Sequence, residues 1–279
     1  MRTLSPLRYP GGKACLAGYL KRLIEQNVTD CTYFELYAGG AGAALDLLFS
    51  NAVNRIILND ADIHIFFFWR EILNNTEAFI HKVEDTPINL DTWFRQRNIY
   101  NDLSVDYSPL ELGFSAFFLN RCNRSGIIKK AGPIGGLEQK GDYTIDCRFN
   151  KKDLIRRIER IANNREHIEI YNEDTLHFIQ LNLAKLQAPQ SFMYLDPPYY
   201  QKGKSLYLNS YNHEDHVQLR NLLNANRNLK WMVSYDNVPE IALLYESFHH
   251  TEHELSYTLQ EKRKTKEFFI FSDSVQFAK

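Results

Sequence analysis

A short apolar run, Ser191 to Leu195, ends at Asp196 and is followed by Pro197, Pro198, Tyr199 and Tyr200. This stretch constrains the fold more than any other in the chain. The run has strand composition, and two successive prolines fix the backbone and remove two N–H donors, so no ladder continues past it. Asp196 is therefore held in a stiff turn at the carboxyl end of a strand, the rim at which open α/β sheets bind ligands. The Pro197 carbonyl has no helix to join and is open to an outside donor. Carboxylate, carbonyl and the flat ring of Tyr199 together suit a planar group bearing an amino substituent. Its amino protons would go to the two oxygens, and its ring would stack on the tyrosine. The alternative is a turn that closes a buried strand, with Asp196 merely solvated.

Two earlier stretches bear on that choice. Thr32 to Tyr37 reads as a strand, followed by Ala38, Gly39, Gly40, Ala41 and Gly42 and a helical pattern through Phe49. Strand, glycine-rich turn and helix begin a Rossmann-like βαβ unit, in which glycines let the backbone approach an adenosyl ligand. Arg55 to Leu58 is the next strand, and Asn59 and Asp60 close it roughly 20 residues after the glycines, where an acidic residue commonly accepts from ribose hydroxyls. Upstream, Ser5 to Lys13 forms a compact loop with Gly11 and Gly12, and Lys13 enters a helix expected from about Ala14 to Gln26. Its spacing is not that of a nucleotide-binding P-loop: Ala14 follows the lysine and no strand precedes.

From Ile63 to about Asn150 the strand–helix alternation stops. Helical segments with aromatic faces, Ile63–Asn74, Thr92–Leu103 and Pro109–Leu119, lead to Asn120, Arg121, Cys122, Asn123, Arg124, Ser125 and Gly126, then Lys129 and Lys130 and a glycine-rich stretch through Gly141. Residues 63–150 read as an inserted, mostly helical subdomain with a basic, polar loop at its tip; 1–62 and 151–279 read as one catalytic domain. Arg and Asn suit base edges in the major groove, and Lys suits phosphate. A solvated loop with incidental charge is the alternative. After a charged helix, Lys151 to Ala162, alternation resumes with strands at Ile168–Tyr171, Ser191–Leu195 and Leu229–Val233 and helices at Thr175–Leu183 and Glu214–Asn224. His250–Leu255 and Glu267–Phe271 suit an antiparallel pair joined by the basic run Glu261 to Lys264. About seven strands result.

The net charge of −1 does not announce a nucleic-acid binder, so any phosphate contact has to come from local basic patches. Four cysteines without CxxC spacing or a paired His motif argue against a zinc site or a disulfide framework and fit a reducing compartment. No stretch approaches a membrane span and no apolar leader opens the chain, which places it in the cytoplasm without a membrane partner.

Taken in order, these stretches resemble the Dam-like, alpha-type DNA adenine-N6 methyltransferases. The order is a lysine loop (Arg8 to Lys13), a glycine loop (Glu35 to Gly42), an inserted recognition segment and the Asp196-Pro197-Pro198-Tyr199 turn. The resemblance covers nearly the whole chain. It implies a Rossmann-like S-adenosylmethionine-dependent methyltransferase with a central, mostly parallel seven-stranded sheet. It further implies that Tyr9, Lys13, Asp60 and Asp196 meet S-adenosylmethionine, that Tyr37, Ala38, Gly39, Gly40 and Gly42 hold its methionine end, and that Asp174 approaches its adenine. Asp196, Pro197, Pro198 and Tyr199 would be catalytic. Asn120, Arg121, Asn123, Arg124, Lys129 and Lys130 would contact double-stranded DNA; Tyr207 and Tyr211 would either flank an extruded base or the gap it leaves, or pack in the core or on the surface. Leu36 stands where the family often has proline, and the recognition loop lacks the family's usual aromatic. Cytosine-N4 is the rival acceptor, and a catalytically idle DNA-binding subunit is the rival from another class. A cognate restriction or defence component is the further partner the resemblance suggests.

Overall fold

The computed structural model describes residues 4–8, 13–102, 104–200, 211–258 and 262–277. Seven strands form one mixed sheet: β1 Thr32–Glu35, β2 Arg55–Asn59, β3 Ile168–Tyr171, β4 Ser191–Leu195, β5 Trp231–Asp236, β6 His249–Thr258 and β7 Lys262–Phe271, in the order β3-β2-β1-β4-β5-β7-β6. β1 pairs in parallel with β2 and with β4, and β4 with β5, while β7 runs antiparallel between β5 and β6. The chain moves to one side of β1 for β2 and to the other for β4. The β1/β4 boundary is thus the topological switch point, where the turns leaving two adjacent strands open a crevice.

The chain divides into two compact units, residues 13–61 with 173–279 and residues 1–12 with 62–172. The first holds β1, β2, β4, β5, β6 and β7 and the helices α1 Ala17–Asn27, α2 Gly42–Phe49, α8 Thr175–Leu181, α9 Leu183–Leu186, α10 His213–Ala225 and α11 Pro239–Leu244. β4 is buried throughout and β1 at every position but Thr32, as central parallel strands covered on both faces require.

The second unit contains α3 Ile63–Asn74, α4 Thr76–Asp85, α5 Leu90–Asn101, α6 Pro109–Cys122 and α7 Lys151–Ala162. Its core is a set of rings, with Phe68 and Phe117 stacked at 5.7 Å and Phe79, Phe114 and Phe149 packed around them. Gly113 lets α6 pass against the backbone of α3, since a Cβ there would lie 2.6 Å from the Phe68 nitrogen. Residues 4–8 and 151–172, the latter with α7 and β3, group with this unit rather than with the other six strands. The cause is α7, whose Leu154, Ile158 and Ile161 are buried on one face while its charged residues face outward.

Several element boundaries differ from the sequence expectation. α6 starts at Pro109 under a reciprocal Ser108–Glu111 capping box and does not stop at Leu119 but continues through Cys122, where Leu119 and Cys122 are both buried. Helix α4, with Phe79 and Val83 buried one turn apart, went unread, as did α11. β5 extends to Asp236, so Ser234 lies inside the strand instead of after it. The Lys262–Lys264 stretch belongs to β7 rather than to a connecting turn, and Glu261 lies outside the described residues.

Candidate active site

The crevice is built from two turns on neighbouring strand ends. Glu35 of β1 lies in register with Tyr194 of β4, and the Leu36 N–H donates to the Tyr194 carbonyl at 3.2 Å. Beyond it the chain tightens, with the Ala41 N–H donating to the Ala38 carbonyl at 2.6 Å. Gly39 and Ala41 both adopt left-handed backbone, at φ +45° and +46°, the first at no cost and the second under strain. Asp60, at the end of β2, accepts from the Gly39 N–H at 2.7 Å, so this carboxylate orders the glycine turn. Gly42 opens α2 where a Cβ would stand 3.1 Å from the Ala14 methyl.

A second polar layer braces the turn. Buried Asn59 donates to the Glu173 carbonyl at 3.0 Å and accepts from its N–H at 3.0 Å, and the Thr175 hydroxyl donates to the Leu36 carbonyl at 3.2 Å. Asp174 caps α8, accepting from the N–H groups of Leu176 and His177, and its side chain is exposed. Tyr37 shares a hydrogen bond of 2.8 Å with Tyr211, ring edge to ring face. Glu35 is buried and accepts from the Tyr33 hydroxyl and the Ala44 N–H. Burial raises its pKa to about 8, which keeps it mostly protonated at neutral pH.

Around Asp196 the second turn forms a denser cluster. Its side chain is 19% exposed, accepts from the Ser234 hydroxyl at 2.9 Å and lies 3.3 Å from the Lys13 ammonium. Lys13, itself almost fully buried, also donates to the Tyr199 hydroxyl at 2.7 Å and to Glu267 at 2.7 Å, and Tyr199 donates to the same Glu267 oxygen at 2.5 Å. Burial lifts the Asp196 pKa to about 6; nearby Lys13 opposes the rise and Glu267 adds to it. Pro197 and Pro198 are buried and Tyr199 is half-buried. Tyr200 points elsewhere, its N–H on Asp236 and its ring packed against His213 and His216. Tyr9 and Tyr207 lie outside the described residues.

In the helical unit the structure reassigns half of the polar loop. Asn120 is fully buried; its carbonyl accepts from the Arg8 N–H at 2.6 Å, and its amide donates to the carbonyls of Arg8 at 3.2 Å and Gly126 at 2.8 Å. Arg121 donates to the Arg148 and Pro6 carbonyls, and burial lowers its pKa to about 9. Asn123 accepts from the Trp93 indole at 2.7 Å and donates to the carbonyls of Ile127 and Ile128. The expectation that Asn120, Arg121 and Asn123 present their side chains to DNA is therefore corrected: these groups satisfy buried backbone, because α6 carries them inside the unit. Arg124 and Lys130 are exposed, and Lys129 is half-buried over the Tyr100 ring.

The sheet is thus mostly parallel and seven-stranded, with one antiparallel strand inserted beside its edge and a glycine turn at the switch point, an arrangement that opens a ligand crevice there. The chain belongs to the D12 class N6 adenine-specific DNA methyltransferase family, whose profile matches residues 9–259. Among its relatives, the type II methyltransferase M.CviBI of Paramecium bursaria Chlorella virus NC1A is 24% identical over 255 residues, which is 90% of each chain. The type II methyltransferase M.MjaIII of Methanocaldococcus jannaschii is 22% identical over 270 residues, 87% of this chain and 88% of its own. Solved structures with some likeness include a SAM-dependent methyltransferase from Agrobacterium tumefaciens (12% identity, TM-score 0.40, covering 93% of this chain and 61% of that one). Another is the rRNA methyltransferase aviRa of Streptomyces viridochromogenes (10%, 0.42, 95% and 87%). This protein is accordingly an S-adenosylmethionine-dependent enzyme that methylates the N6 amino group of adenine in DNA. Among the described residues no helix is long and apolar enough to cross a membrane, and no cluster of His, Cys, Asp and Glu is suited to a metal ion.

Proposed function

We propose that Asp196 and the Pro197 carbonyl receive the two amino protons of an adenine turned out of the duplex, and that Tyr199 stacks on its ring. A single observation carries this reading: the partly exposed Asp196 carboxylate stands at a strand end next to the glycine turn, braced by Ser234 and Lys13. Adenine's amino nitrogen is a poor nucleophile because its lone pair is delocalised into the ring. Two fixed acceptors favour a more tetrahedral nitrogen as charge develops, and one such preorganised partner is worth about 3 kcal/mol in a water-excluded site. Asp196 must be ionised to accept both in geometry and in charge, and Lys13 favours that form. A base inside the duplex cannot reach a strand-end crevice, so flipping is required, at a cost of a few kcal/mol that pocket contacts offset.

The donor set of the neighbouring turn fits S-adenosylmethionine. From Ala38 to Gly42 no side chain exceeds a methyl group, which leaves the crevice outside β1 open to backbone approach. Lys13, Tyr37 and the glycine turn would hold the cofactor's polar end, Asp60 its ribose, and Asp174 its adenine; Tyr9 belongs to the same group by family position. When bound, the cofactor supplies an electrophilic methyl group carried on a sulfonium. In the helical unit, Arg124, Lys129 and Lys130 would meet DNA, with Asn120, Arg121 and Asn123 shaping the loop that presents them. Tyr211, anchored to Tyr37, would flank the base. A cognate restriction or defence component would be the further partner. Asp196→Ala should abolish transfer of labelled methyl to DNA while DNA still binds; retained transfer would refute the assignment. Methylation-sensitive sequencing of DNA from cells expressing the chain returns the modified base in its context, and cleavage of unmodified copies of that context by a companion nuclease tests the partner.

A further inference from the structure

We propose that Glu267 is a positioning residue for methyl transfer: it holds Lys13 and Tyr199 in place and keeps Lys13 from capturing Asp196. The proposal rests on the role assigned to Asp196 above. Glu267 comes from β7, opposite Asp236 of β5, and its side chain is only 2% exposed. A carboxylate so deeply buried costs several kcal/mol unless it is paired, and an apolar side chain would fill the same space without that cost. Its Oε1 takes two strong hydrogen bonds, from the Lys13 ammonium at 2.7 Å and the Tyr199 phenol at 2.5 Å.

Both donors also belong to the site. Lys13 lies 2.7 Å from Glu267 but 3.3 Å from Asp196, so its closer partner is the carboxylate that the chemistry does not use. A lysine is a point charge on a flexible stem with three rotatable donors. Without Glu267 it would close on Asp196 and occupy an oxygen that the adenine amino group needs. Tyr199 is tied by the same oxygen, which fixes the tilt of the ring offered to the base. Glu267 thus acts through two other side chains and touches neither substrate nor cofactor.

The test is a cycle of full-length variants, wild type, Glu267→Gln, Lys13→Met and the double variant, measured for kcat with labelled cofactor and for cofactor and DNA binding by calorimetry. Glu267→Gln keeps the shape but removes the charge that holds the lysine. The expected result is a kcat lowered about 10- to 100-fold, the scale of a small misplacement of reacting groups, with the DNA dissociation constant within about threefold of wild type. In the Lys13→Met background Glu267→Gln should cause a smaller loss, below about tenfold, because the lysine it restrains is gone and only its hold on Tyr199 remains. An undiminished kcat, or the same fold loss in both backgrounds, would overturn the proposal. Should Glu267→Gln alone not fold, the double variant, which removes both buried charges, is compared with Lys13→Met: a kcat lower by less than about tenfold supports the proposal, and a loss of about 10- to 100-fold overturns it. Asp196→Asn, run alongside, separates the two ideas, since full activity there removes the underlying assignment whatever Glu267 does.

Discussion

The two polar clusters of this protein are both built from buried polar side chains and do opposite things. Around Asp196, buried polar groups converge from residues far apart in the chain, and they leave one carboxylate partly open. Around Asn120, buried polar groups satisfy backbone N–H and carbonyl groups within the loop and its neighbours, and nothing is left over to face outward. A polar side chain with all its partners in backbone is scaffolding; one held by other charged side chains at a strand end is poised for chemistry. The exposed Arg124 and Lys130 then inherit the outward role that the buried asparagines cannot fill.

The largest effect that would break this contrast is on stability. Asn120→Ala removes three hydrogen bonds and leaves buried backbone groups unpaired, a loss of about 3 kcal/mol at about 1 kcal/mol each. Denaturant titration should find it, whereas Arg124→Ala should leave the midpoint almost unmoved; equal midpoints would show that Asn120 is not scaffolding. Next comes DNA. Arg124→Ala should lower discrimination among DNA sequences by about 1–3 kcal/mol if its guanidinium reads a base edge; unchanged sequence preference in a competition assay would remove it from the recognition surface. Lys130→Ala should weaken binding evenly across sequences and reduce the salt slope by about 1, and an unchanged slope would contradict a phosphate contact.

The smallest effect is on pH dependence, and it probes the catalytic cluster alone. Asp196 is faced by Lys13, Glu267 and Ser234, and by Tyr194, and its pKa stands near 6. Because the ionised form is the acceptor, kcat should fall as pH drops through about 6. Removing the negative neighbour in Glu267→Gln should move this acid limb to lower pH, and removing the positive one in Lys13→Met should move it higher. Shifts in the same direction, or none, would detach the limb from Asp196.

Much of the catalytic half was legible because its signals are local. A strand ending in Asp-Pro-Pro, a strand ending in a glycine turn and an acidic residue after the next strand each announce their own geometry, and the parallel order places them together. Glu267 was not legible. Its partners are 68 and 254 residues away, and only the antiparallel return of β7 brings it to them. The available hint was a single carboxylate leading into the apolar run Phe268 to Phe271, where an edge hairpin has no need of one. The asparagines failed for another reason. They follow an aromatic helix and precede basic residues, so composition alone reads them as an exposed loop, and only the continuation of α6 through Cys122 turns them inward.

The most direct test of the account is a single-turnover measurement of methyl transfer by Asp196→Asn with cofactor and DNA both saturating. The amide keeps the shape of the side chain but replaces an oxygen acceptor with a donor. The account predicts a rate lowered by about a thousandfold, the upper range for one preorganised partner, with cofactor and DNA binding within a few fold of wild type. A rate within tenfold of wild type would contradict it.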